Sequence, residues 1–220
     1  MYKHTISKEE VNQLPVVAFE GEIILVETEK QVKQAFKILK KQKVVGLDTE
    51  TRPSFTKGKM YKVALVQIAT EEQCFLFRIN KIDFHDSLVK FLNKKTIKKI
   101  GLDLNNDFKG LSKFEEDFEP KNIVDIQKIT ENYGILDKSL QKIFAIVFKQ
   151  RISKNQQLSN WENDVLTEKQ QIYAATDAWA ALMIYNTLQK AEKLSKAEIE
   201  AIKEAVKQEN NEQNNEQNNS

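Results

Sequence analysis

The stretch VVGLDTETRPSF (Val44–Phe55) runs two carboxylates into what otherwise reads as a buried strand. Val44, Val45 and Leu47 favour extended, half-buried backbone. Asp48 and Glu50 follow, with Thr49 between them. Side chains alternate across a strand, so both acids share one face, about 7 Å apart along the chain. Two ionised carboxylates that close, at the edge of a core, repel each other and are costly to desolvate. A fold that keeps them must neutralise them, either with Lys or Arg side chains or with a metal ion.

The rest of the chain supplies an α/β frame for that strand. GEIILVET (21–28) reads as a strand, and EKQVKQAFKILKKQ (29–42) as a helix with Val32, Ala35, Phe36 and Leu39 on one face. After a polar loop, VALVQIA (63–69) and CFLFRI (74–79) are strands joined by a hairpin-length connection. A helix around FHDSLVKFLNK, a strand at KKIGLD and a helical segment from about Asn105 come next. IVDIQKI (123–129) suits either a strand or a helix start. LQKIFAIVF is helical, and TEKQQIYAATDAWAALMIYNTLQKAEK is a long helix opened by a capping box, Thr167 with Gln170. This order predicts a mixed sheet in which three consecutive strands pair antiparallel and helices cover the faces.

With 220 residues, 40% of them hydrophobic, and only 6 Gly and 3 Pro, the chain reads as one domain, residues 1–190 with a core at about 21–190. Residues 191–220 read as a charged helix and a disordered Asn/Gln/Glu tail. The lone Cys74 leaves no internal disulfide. With no signal-peptide pattern at the start and no long apolar run, the expectation is a soluble, cytoplasmic protein with no membrane contact. A net charge of +2 does not announce a nucleic-acid binder, so any such surface must be local. P-loop, dinucleotide, paired-cysteine and His-Glu-x-x-His patterns are absent from the sequence.

If a metal neutralises Asp48 and Glu50, further oxygen ligands are needed. Two segments qualify: GLDLNNDFKGL, with Asp103 and Asp107, and QQIYAATDAWAALMIY, where Tyr173 and Asp177 share a helix face. Ala174, Ala175 and Ala178 keep that helix slim enough to lie close to a sheet. LDTET, GLDLNNDFKGL and LSNWENDVLTEKQQIYAATDAWAALMIY resemble, in order, the three motifs of the DnaQ-like (DEDD) 3′–5′ exonucleases in their tyrosine subgroup. The nearest likeness is to the exonuclease domain of the Werner syndrome helicase, with ribonuclease D more distant.

The resemblance implies an RNase H-like fold and a 3′–5′ exonuclease that releases nucleoside 5′-monophosphates with two Mg²⁺ or Mn²⁺ ions. It implies Asp48, Glu50, Asp107 and Asp177 as metal ligands, with Asp103 a neighbouring competitor for the third place. Tyr173 takes the place of the residue that orients the attacking water, and Ile172 stands where the histidine subgroup would carry His. Arg52, Lys57, Lys59, Arg151 and Lys154 are candidates to meet phosphates, and Phe55 and Met60 to stack on the terminal base. The expected partner is a nucleic acid with a free 3′ end, single-stranded or recessed. Asp125 reads as a structural acid that binds a backbone amide, and Trp161 as a support packed under the long helix. The rival readings are a non-catalytic nucleic-acid-binding module on the same fold and an exoribonuclease confined to short oligonucleotides.

Overall fold

The computed structural model describes residues 2–58, 60–115 and 117–218, and the side chains of these except 210 and 212–218. Its elements in chain order are α1 (Lys8–Gln13), β1 (Glu22–Val26), α2 (Glu29–Leu39), β2 (Val44–Thr51), β3 (Val63–Ala69) and β4 (Gln73–Arg78). They continue with α3 (Ile79–Ile82), α4 (Asp86–Leu92), β5 (Lys98–Gly101), α5 (Leu104–Leu111), β6 (Ile123–Asp125), α6 (Ile126–Ile129), α7 (Leu140–Phe148), α8 (Glu168–Leu188) and α9 (Lys196–Asn218).

The strands form one six-stranded sheet in the order β1-β4-β3-β2-β5-β6. β2, β3 and β4 pair antiparallel as expected, while β1 lies parallel to β4, β5 to β2, and β6 to β5. One face is covered by α2, α4 and α5, around a core that includes Phe36, Phe75, Phe77, Leu88 and Phe108. Against the other lies α8, whose Ala174, Ala175 and Ala178 share a cluster with Leu65, Ala69 and Leu76 of the sheet. α7 packs on α8 beyond it, through Ile143, Phe144 and Ile184.

The contact between α8 and β2 sets the geometry of everything that follows. A Cβ on Gly46 would overlap the carbonyl oxygen of Ala178. Glycine on the strand and alanine on the helix thus let the two backbones touch, and Asp177 comes down beside Asp48.

Two segments differ from the sequence reading, and a third settles an alternative it left open. α1 lies in what reads as a polar lead; the Ser7 hydroxyl accepts from the Glu10 amide at 3.1 Å, and the Glu10 carboxylate accepts from the Ser7 amide at 2.9 Å. That capping box stabilises a short helix whose only buried side chain is Val11. IVDIQKI is both alternatives in turn, a three-residue strand and then a helix capped by Asp125. In α9 the helical backbone continues to Asn218, through the Asn/Gln/Glu segment read as disordered. No Gly or Pro interrupts the chain from Lys196 on, so a helix started by Ser195 and Glu198 meets no breaker.

Candidate active site

β2 carries Asp48 and Glu50 onto the sheet face beneath α8, and Asp177 reaches them from the helix. Carboxylate oxygens of the three lie within 4.8 Å of one another. Glu50 is 9% exposed. None of the three is in an ion pair with Lys or Arg among the described residues, which answers the question posed by the strand: its acids are not neutralised by basic side chains. The chemistry of the cluster follows from that. Burial pushes Glu50 up to about 10, helped by Asp48, Asp177 and Asp107. Burial first, then Asp107 and Asp177, hold Asp48 well above the usual carboxylate range. Asp177 is pushed up to about 7 by burial, against the opposing pull of Tyr173 and Lys154. Three hard oxygen donors, crowded and unpaired, fit a divalent cation.

Tyr173 sits one helical turn before Asp177, with its hydroxyl near enough to that carboxylate for each to shift the other. Burial, then Asp177 and Glu50, raise its hydroxyl far above the ordinary tyrosine value, so it stays protonated and serves as a donor. Trp161, completely buried, lies under it with ring centroids 5.9 Å apart and planes at 34°. The loop that carries Trp161 is held by the buried Arg78, whose guanidinium donates to the carbonyls of Asn163 and Asp164 and to Glu27 (3.1 Å).

Asp107 lies outside the 4.8 Å spacing of the trio, yet near enough to raise Asp48 and Glu50. Its carboxylate accepts from the Thr49 hydroxyl at 2.6 Å, and Thr49 points to the opposite side of β2 from Asp48 and Glu50. Burial raises Asp107 to about 6 in spite of that bond, with Asp103 and Asp125 adding to the rise. Asp103 is exposed, in left-handed backbone at the start of α5, and bonds Asn106. Asp125 accepts from the amides of Gln127 (3.0 Å) and Asp103 (3.3 Å). Neither histidine approaches the acids: His4 bonds the Gly134 carbonyl at 2.8 Å, and His85 caps α4.

The basic candidates divide. Lys154 lines a cleft of about 180 Å³ with Tyr173 and Asp177. Arg52 stays near the site but is engaged, 3.3 Å from Glu162 and over the Tyr61 ring at 4.7 Å. Phe55 and Met60 are 84% and 79% exposed, on a loop with Lys57; Lys59 lies outside the described residues. Arg151 is used elsewhere, its Nε donating to the Leu14 carbonyl at 3.1 Å and fastening the N-terminal segment.

A larger groove of about 780 Å³ opens on the Asp107 side, lined by Thr49, Met60, Lys62, Asn106, Lys109 and Lys113, among others. Its three lysines are exposed, and none is in an ion pair among the described residues. The sequence reading missed them. Lys109 and Lys113 lie at helical spacing in and just beyond α5, a pattern that also describes any solvated helix face.

The family model for 3′–5′ exonuclease matches residues 23–192. A Mus musculus protein, the bifunctional 3′–5′ exonuclease/ATP-dependent helicase WRN, is 36% identical over 155 residues, covering 66% of this chain and 11% of that protein. An Arabidopsis thaliana 3′–5′ exonuclease is 30% identical over 203 residues, covering 84% of this chain and 69% of that one. Among solved structures, Escherichia coli RNase D superposes with a TM-score of 0.68 at 20% identity, over 78% of this chain and 44% of that chain. The chain therefore spans a small part of the mouse protein and less than half of the bacterial one.

Proposed function

The chain belongs to the 3′–5′ exonuclease family, and on that basis we propose that it hydrolyses the terminal phosphodiester at nucleic-acid 3′ ends and releases nucleoside 5′-monophosphates. The observation that carries the reading is the convergence of Asp48, Glu50 and Asp177 without a basic partner. These residues would hold divalent ions, Mg²⁺ or Mn²⁺ and two in number, with Asp107 as the further ligand of a second one. Such ions, when bound, supply Lewis-acid charge at the scissile phosphate.

The chain's own side chains do the rest. Tyr173, protonated and beside Asp177, is a donor that orients water or phosphate oxygen at the reacting centre. Lys154, exposed beside Asp177, meets phosphate in the small cleft. Lys62, Lys109 and Lys113 track the strand leading to the 3′ end, through charge and without reading sequence. Phe55 and Met60 offer apolar surface to a base. That groove favours a polymer over a short oligonucleotide, and the intact set of acids with Tyr173 disfavours a non-catalytic module. Among the described residues no helix is long and apolar enough to cross a membrane.

The test is to digest matched single-stranded DNA and RNA and identify the products by mass. Nucleoside 5′-monophosphates from one or both polymers support the reading and name the polymer. Nucleoside 3′-monophosphates, or internal fragments alone, overturn it.

A further inference from the structure

Gln67 is the most unusual polar residue in the sheet. It lies in the middle of β3, is completely buried, and among the described residues neither its amide nitrogen nor its amide oxygen has a hydrogen-bond partner. Buried amides are normally paired, because an unpaired one forfeits its bonds to water without return. The register shows what it faces. Gln67 is directly opposite Asp48 on β2 and opposite Leu76 on β4. Directly opposed residues in an antiparallel pair project from the same face, with Cβ atoms about 5 Å apart.

The other neighbours on that face are Leu65 and Ala69 along β3, with Ala174, Ala175 and Ala178 of α8 in the same apolar cluster. Glu50 and Arg78 lie diagonally. Arg78 turns its guanidinium to Glu27 and to the loop carbonyls. On β2 the residue set directly across from the amide is Asp48, with its carboxylate.

We propose that Gln67 is a positioning residue for Asp48: its amide N–H donates to the Asp48 carboxylate when that carboxylate holds a divalent ion, fixing which oxygen faces the ion. The inference rests on the exonuclease reading, since it requires that Asp48 bind a cation. A partner that orients a ligating carboxylate typically changes metal affinity or activity by about 10–100-fold when removed.

Gln67→Met separates this role from a structural one. Mn²⁺ binding is followed by electron paramagnetic resonance on the protein without nucleic acid, and melting is measured in EDTA. The expected result is Mn²⁺ affinity about 10–100-fold weaker, with metal-free melting unchanged or raised. Mn²⁺ affinity equal to the wild type overturns the proposal. Should Q67M melt lower in EDTA, Gln67→Leu is the second variant; lowered metal-free melting in both also overturns it, because the amide would then be structural. Absence of Mn²⁺ binding by the wild type is a different failure, and sinks the exonuclease reading itself.

Discussion

The Thr49 hydroxyl donates to the Asp107 carboxylate at 2.6 Å, across the strand edge from the Asp48–Glu50 pair. One strand thereby addresses two groups of acids. Its even positions face α8 and the trio, while Thr49 tethers the acid of α5 on the other side.

Removing that tether has a pH-dependent cost. Thr49→Val deletes a hydrogen bond to a carboxylate, worth about 1.5–3 kcal/mol when the acceptor is charged. Asp107 titrates at about 6, so the charged acceptor is present at pH 8 and largely lost at pH 5. Urea denaturation of the metal-free protein should show the larger loss at pH 8. An equal loss at both pH values would mean that charge on Asp107 contributes nothing to the bond.

The acid cluster also makes metal-free stability fall with rising pH. Asp107, Asp177 and Glu50 sit at about 6, 7 and 10 in the folded chain, against ordinary values of 3.8, 3.8 and 4.5. The folded protein holds protons that the unfolded chain has already released, so stability is greatest below about pH 4 for these groups and is lost as pH rises through their folded values. Calorimetry in EDTA should give a melting temperature that drops between pH 5 and 9, and added Mg²⁺ should restore most of the drop. A flat profile in EDTA contradicts the crowding of the carboxylates.

How much of this was legible beforehand depends on which interactions are local. Asp48 and Glu50 could be placed on one face because strand alternation is fixed by covalent geometry. Tyr173 and Asp177 could be paired because helical spacing is equally fixed, and the alanines beside them announced a close helix. The Thr49–Asp107 bond joins residues far apart in sequence and leaves no local trace. Gln67 reads in the sequence as one polar residue in an apolar strand; only the register sets it opposite Asp48. Arg151 shows in the sequence only as a charge, whereas its guanidinium donates to a carbonyl of the N-terminal segment, a contact that no spacing rule foretells. The capping box of α1 is local and stands in the sequence as Ser7 with Glu10 three residues on.

Tyr173→Phe removes one hydroxyl from a packed ring that stays in contact with Trp161. Loss of a single oriented donor at the reacting centre costs on the order of 10²–10³ in kcat. Single-turnover kinetics should show that fall with the dissociation constant for nucleic acid little changed. Unaltered kcat would remove Tyr173 from the chemistry.

The lysine groove makes a prediction about salt. Each phosphate neutralised on a single strand contributes about 0.7 to the slope of log K against log salt. Replacing Lys62, Lys109 and Lys113 together with Ala should lower that slope by up to about 2 and weaken binding uniformly across sequences. Fluorescence anisotropy over a salt series measures it, and an unchanged slope would place the strand elsewhere.

In the proposed mechanism Asp48, Glu50 and Asp177 form a divalent-ion-dependent hydrolytic centre. It is tested most directly by incubating a 5′-labelled single-stranded oligonucleotide with the wild type and with Asp177→Asn, each in EDTA and in Mn²⁺. The expected result is a ladder shortening from the 3′ end for the wild type in Mn²⁺ alone, with the variant slower by on the order of 10³-fold while keeping its fold by circular dichroism. A ladder that persists in EDTA, or undiminished in the variant, would contradict it.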